Sequence, residues 1–186
     1  FIGQGNERLN LGCLEGNKFK IRIRNLTNER FNLIKQVPNY FDEQRFSQSN
    51  QKIGKLILKK NFKEAISKIL EVDEENSSKI NRHLSNNKND FVGALLLLPR
   101  NTVKIYIHAY QSYLFNETLK RFVLKNYQDY KTVKYSLGEF VFPKQGLNDK
   151  KVEIVGFGTK LGQDETDEII KSLMEEEGIT QRDFVI

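Results

Sequence analysis

Apolar residues recur at helical intervals along much of the chain. Residues 51–60 place Ile53, Leu56 and Ile57 on one stripe. Asn61 then offers an N-cap, with Glu64 completing a capping-box pattern. The helix it starts carries Phe62, Ala65, Ile66, Ile69 and Leu70 on one face. After Pro99, a cap at Thr102 predicts a long helix reaching about Lys125. Ile105, Ile107, Tyr110, Leu114, Phe115, Leu119 and Phe122 occupy several of its sides, so this helix is expected to be largely buried. A final helix is predicted over Asp164 to Glu177. Its first turn is acidic, Ile169, Ile170, Leu173 and Met174 face inward, and Gly178 stops it. The polar stretch Glu71–Asp90, with its Asn-rich end, reads as a mobile or variable connection.

Period two appears once with full regularity. In Lys18-Phe19-Lys20-Ile21-Arg22-Ile23-Arg24, a strand sends Phe19, Ile21 and Ile23 to one face and Lys18, Lys20, Arg22 and Arg24 to the other. Four cations then line about 20 Å at a rise of roughly 3.3 Å per residue. Such a row suits nucleic-acid phosphates, and it equally suits a solvated or edge-protecting sheet face. Further strands are predicted at Gly138–Phe142 and Val152–Phe157. The pattern is mixed α+β, without an internal repeat.

Composition narrows the function classes. The 186 residues are 38% hydrophobic and 29% charged, enough for a packed core and too apolar for wholesale disorder. The longest apolar run, Ala94 to Leu98, is far short of a membrane span, and no secretion signal is evident, so the chain reads as soluble and intracellular. A single cysteine, Cys13, excludes an internal disulfide framework and reads as a small buried hydrophobe. Only two histidines argue against structural zinc. His83 reads as a solvated surface residue and His108 as a hydrogen-bonded core residue. The net charge of +6 is uneven: residues 1–60 carry twelve basic and five acidic groups, residues 161–186 two and eight. A basic amino-terminal part suits a polyanionic partner, nucleic acid above all. Phe1-Ile2-Gly3-Gln4-Gly5-Asn6 lacks an initiator methionine, and the chain reads as an excerpt from a longer protein.

Motifs of familiar enzymes are missing: there is no Gly-x-Ser-x-Gly and no His-Glu-x-x-His. Gly3-Gln4-Gly5 and Gly156-Phe157-Gly158 are too short for phosphate loops and read as turns. Two segments combine aromatic and polar groups. Val37-Pro38-Asn39-Tyr40-Phe41-Asp42-Glu43-Gln44-Arg45-Phe46-Ser47 has rings to stack a base, amides to read its edge and an Arg to hold phosphate or order the loop. In Ala109-Tyr110-Gln111-Ser112-Tyr113-Leu114-Phe115-Asn116, amides and a hydroxyl fall on a helix expected to be buried, where they need partners and so brace a loop. Aromatic core packing is the plain alternative for either segment.

Together these segments resemble two signature motifs of the TruD family, the pseudouridine synthases that isomerise uridine 13 of tRNA. The lead-in Leu9-Asn10-Leu11-Gly12-Cys13-Leu14-Glu15-Gly16-Asn17-Lys18-Phe19 is similar to that family's Leu-x-x-Gly-x-x-x-Gly-Asn-x-Phe. Residues 156–179 resemble its archaeal branch. The resemblance implies that Asn39 contacts substrate and that Phe41 stacks the base, with Gln44 and Arg45 shaping the site. Gln111, Ser112, Phe115 and Asn116 would support it from behind. It also implies an aspartate nucleophile in a Gly-x-Lys-Asp motif, and this chain has none; its eight aspartates lack that setting. No catalytic residue is therefore assigned. Asp42 and Ser47 stand where the family usually has glycine.

The resulting expectation is a fragment of a tRNA pseudouridine synthase: 1–60 as part of a mixed or antiparallel catalytic sheet, 61–186 as an α/β insertion domain. Its implied partner is tRNA, with no metal, organic cofactor or membrane and a cytoplasmic location; oligomeric state is left open. A non-catalytic RNA-binding module is the alternative, and a helical scaffold using its acidic tail for protein contacts a third.

Overall fold

A computed structural model of the chain describes residues 16, 18–22, 24–25, 36–147 and 149–185. Phe1–Leu33 and Ile34–Ile186 form two compact units. In the first, residues 18–22 and Arg24 are not in a strand, and Phe19 and Ile21 are 79% and 82% exposed. The expected basic strand is thus corrected: alternation makes a strand only where a partner strand and an apolar surface receive it. Lys18, Lys20, Arg22 and Arg24 are all exposed. Gly3-Gln4-Gly5, Leu9–Glu15 with Cys13, Asn17 and Ile23 lie outside the described residues.

The second unit begins with an extended segment and a 3-10 helix, Glu43–Ser49, which runs into α1 (Asn50–Leu58). Then come α2 (Phe62–Val72), α3 (Glu74–Asn86), α4 (Phe91–Leu96), α5 (Arg100–Asn126), the hairpin β1 (Tyr130–Tyr135) and β2 (Gly138–Pro143), and α6 (Glu165–Glu177). A second 3-10 helix, Gln181–Phe184, follows α6. This is an α+β arrangement, chiefly helical. The sheet among the described residues is the antiparallel pair β1–β2, with Thr132 opposite Val141, and the described residues of 1–60 add no strand to it.

α5 is the axis. At 27 residues it is about 40 Å long, at 1.5 Å per residue. α1, α6 and the hairpin all pack on it, while α2 packs on α1, and α3 and α4 pack on α2 and on each other. Ile53, Ile57, Ile66, Ile69, Ile80, Ile107, Tyr110 and Leu114 form the buried centre. Gly54 lets α1 and α5 meet, since a Cβ there would collide with the Tyr106 carbonyl. α1, which precedes the boundary expected at 60/61, packs closely against α5, which follows it.

Several elements differ from the pattern reading. Glu71–Asp90 is mostly helix: Asp73 caps α3 by accepting from the Asn76 N–H at 3.0 Å, and Ile80 is fully buried. His83, on that helix, bonds Asp90 at 2.9 Å. Asn61 precedes α2 but its side chain makes no cap bond. α5 starts at Arg100, with Pro99 rather than Thr102 at its N-cap. His108 and Ile105 are exposed. Val152–Phe157 forms no strand; Gln111 Nε2 and Thr159 Oγ1 donate to its Val155 and Ile154 carbonyls at 2.6 and 3.1 Å. β1 was not anticipated at all, and its nearly uniform exposure explains why no apolar alternation marks it. Gly156-Phe157-Gly158 does contain a turn, and α6 ends at Gly178 in the left-handed region, φ 62°.

Candidate functional site

The Asn39–Phe46 segment lies against the middle of α5 and against β2. Asn116 of α5, only 1% exposed, holds both backbone groups of Phe41. Its Oδ1 accepts from the Phe41 N–H at 2.9 Å, and its Nδ2 donates to the Phe41 carbonyl at 2.9 Å. An amide carries one acceptor and two donors, so a single Asn side chain can replace a strand partner for one residue. The Phe41 ring meets Phe115 edge-on, centroids 5.3 Å apart, and the Arg45 guanidinium sits 5.7 Å from the Phe41 centroid. Arg45 Nε donates to Ser112 Oγ at 3.3 Å, and Ser112 Oγ donates to the His108 carbonyl at 2.8 Å.

Tyr40 anchors the same segment to the hairpin. Its hydroxyl donates to the Val141 carbonyl at 3.0 Å and accepts from the Val141 N–H at 3.3 Å. Val141 lies on the open edge of β2, so one phenol caps backbone groups that would otherwise be unpaired. Phe140 and Phe142 flank the ring at 4.9 and 5.4 Å. Burial pushes the Tyr40 pKa up to about 12. Nearby, Glu43 Oε1 accepts from the Ser136 N–H at 2.6 Å in the hairpin turn.

Two clefts adjoin this segment. The first, about 440 Å³, has Asn39 on its wall with Val37, Pro38, Phe115, Leu119 and Phe122, and Asp149 and Lys150 beside them. The second, about 570 Å³, is lined by Gln44, Phe46, Gln51 and Lys52 of the 3-10 helix and α1, and by the hairpin turn. The structure therefore brings Phe41, Arg45, Ser112, Phe115 and Asn116 together, and places Asn39 and Gln44 at different clefts. Gln111 points elsewhere, to the Val155 carbonyl. The lysines and arginines at 18, 20, 22 and 24 belong to the other compact unit.

Neither Asp42 nor Ser47 has a left-handed backbone. Among the described residues of this loop, the left-handed position is Ser49, φ 67°. Asp42 instead uses its Oδ1 to accept from the Glu43 N–H at 2.8 Å. Three participants escaped the sequence reading: the Tyr40 hydroxyl, Glu43 and Gln51. Tyr40 lies inside the motif, but only the folded hairpin supplies the edge it caps. Though largely exposed, the His108 ring is partly desolvated by its neighbours, which lowers its pKa, and the Arg45 and Lys104 charges lower it further.

Comparison with known proteins gives a consistent result. The family model described as tRNA pseudouridine synthase D (TruD) matches residues 1–83 and 75–152. A probable tRNA pseudouridine synthase D 2 of Methanocaldococcus jannaschii is 30% identical, covering 94% of this chain and 54% of its own length. A probable tRNA pseudouridine synthase D of Nanoarchaeum equitans is also 30% identical, covering 97% and 56%. The chain thus spans about half the length of these curated relatives. The first alignment runs over 228 positions, more than the chain's 186 residues, so that relative carries additional residues within the shared span. The crystal structure of a putative tRNA pseudouridine synthase D from Methanosarcina mazei shares the fold, with TM-score 0.57 and 19% identity over 80% of this chain and 47% of that one.

Proposed function

Because the chain belongs to the tRNA pseudouridine synthase D family, we propose that it is the substrate-gripping part of an enzyme that isomerises uridine, at position 13 of tRNA, to pseudouridine. In this reading residues 1–60 belong to the catalytic portion and 61–186 to the insertion domain. The aspartate nucleophile lies outside this sequence, so this stretch alone binds RNA without turning it over. Asn39 contacts the substrate at its cleft. Phe41 stacks the extruded base, Gln44 and Arg45 shape the loop, and Lys18, Lys20, Arg22 and Arg24 meet phosphates. No organic cofactor or metal takes part, and the setting is cytoplasmic.

The observation that carries the reading is the two-ended Asn116 clamp on Phe41. It fixes the backbone of the stacking residue without using its ring, and Arg45 and Phe115 then set the ring's attitude. Preorganisation of this kind lowers the ordering cost when a base arrives. Direct binding of an unmodified tRNA transcript tests it. Affinity is expected to fall steeply with added salt, as phosphate contacts require. Phe41→Ala is expected to weaken binding by about 1–3 kcal/mol, the range for a stacked single-strand base. An unchanged dissociation constant in that variant removes Phe41 from the site.

A further inference from the structure

The second cleft is the better built of the two for a polar ligand, and the reading above does not use it. It opens between the 3-10 helix, the first turn of α1 and the hairpin turn. Gln51 is 6% exposed, yet among the described residues its buried Oε1 accepts no hydrogen bond. A buried amide oxygen without a donor is uncommon in a folded protein and marks a place where one is wanted. The same amide carries N–H donors, so it can meet an acceptor and a donor side by side, the pattern on a nucleobase edge. Phe46, 4% exposed, and Leu137 give an apolar wall for the flat of a base. Lys52, the next residue along, is exposed at the mouth for a phosphate. Glu43 also lines the cleft, its Oε1 held by the Ser136 N–H; its charge disfavours a bare anion and leaves a base as the better occupant.

We propose that this cleft seats a second nucleotide of the RNA, one flanking the target, with its base edge on Gln51 and Gln44 and its phosphate at Lys52. The inference rests on the tRNA reading above. It adds that the motif straddles two clefts with no lining residue in common, Asn39 at one and Gln44 at the other. One strand could thus be gripped at two nucleotides, which fixes register as well as the target base.

Heteronuclear NMR of the full chain, titrated with a single-stranded uridine-containing RNA, separates the outcomes. The proposal expects the Gln51 side-chain amide signals to move together with those of Asn39. Movement of Asn39 alone overturns the second-nucleotide site and spares the tRNA reading; no movement at either overturns both. Gln51→Leu should weaken RNA binding about fivefold, the loss expected for one uncharged hydrogen bond, while the melting temperature holds or rises. Lys52→Ala should lower the salt slope by about one. Affinity unchanged in Gln51→Leu, with a folded protein, also overturns the site.

Discussion

α5 is held differently along its two faces. Toward α1 it meets an apolar seam, where Ile53 and Ile57 face Tyr106, Tyr110 and Leu114 and Gly54 permits backbone approach. Toward the Asn39–Phe46 segment it presents buried polar groups, Asn116 and Ser112, with Phe115 beside them. The seam is non-directional and depends on volume. The clasp is directional and depends on each donor finding its acceptor. Stability is therefore concentrated at the first, and the placement of Phe41 and Arg45 at the second.

The difference can be broken at either face. Gly54→Ala should be the most damaging change, because its Cβ meets backbone that cannot swing away. A loss of about 3 kcal/mol, read by urea unfolding, is expected from overpacking. Loss below about 0.5 kcal/mol shows that the helices are not in such close contact. Asn116→Leu should cost about 2 kcal/mol by stranding the Phe41 N–H and carbonyl. It should also speed hydrogen exchange at the Phe41 amide while α1 amides stay protected. Uniform acceleration at both places erases the distinction between seam and clasp.

Smaller effects sharpen it. Tyr40→Phe should cost about 1 kcal/mol, since Val141 loses a donor and an acceptor at the edge of β2. Tyr40 also sets a pH dependence. The folded protein holds its proton up to about pH 12, whereas an unfolded tyrosine releases it near 10. The unfolded chain thus binds fewer protons in that window, and stability falls as pH rises above 10. Burial likewise pushes Tyr135 up to about 12, so Tyr40→Phe should reduce the slope without abolishing it. A slope identical to the parent's excludes Tyr40 from this titration. Asn61→Ala should change stability least, by about 0.3 kcal/mol or less, because no cap bond is there to lose. A loss near 1 kcal/mol reinstates the capping box.

The acidic tail illustrates how charge can mislead. Glu165, Glu176 and Glu177 pair with Lys125, Arg121 and Lys55, so these carboxylates fasten α6 to α5 and α1. Arg121 holds the Glu176 pKa down, the Ser172 hydroxyl adding to this. A run of acid that looked available for a protein partner is largely spent inside the chain.

Local order determined what was readable from sequence. α1, α2 and α6 repeat apolar residues at short intervals, and Asp164 and Gly178 mark both ends of α6 without any knowledge of its neighbours. The motif residues were legible as chemical types for the same reason. Tertiary structure decided what depends on partners distant in the chain: that residues 18–22 and Arg24 stay out of a strand, that 152–157 is tied by side chains, and that Asn39 and Gln44 look into separate clefts. Asn116 reaches Phe41 across 75 positions. A hydrogen bond of that span leaves no periodicity in the chain, because its geometry exists only after α5 and the loop have met.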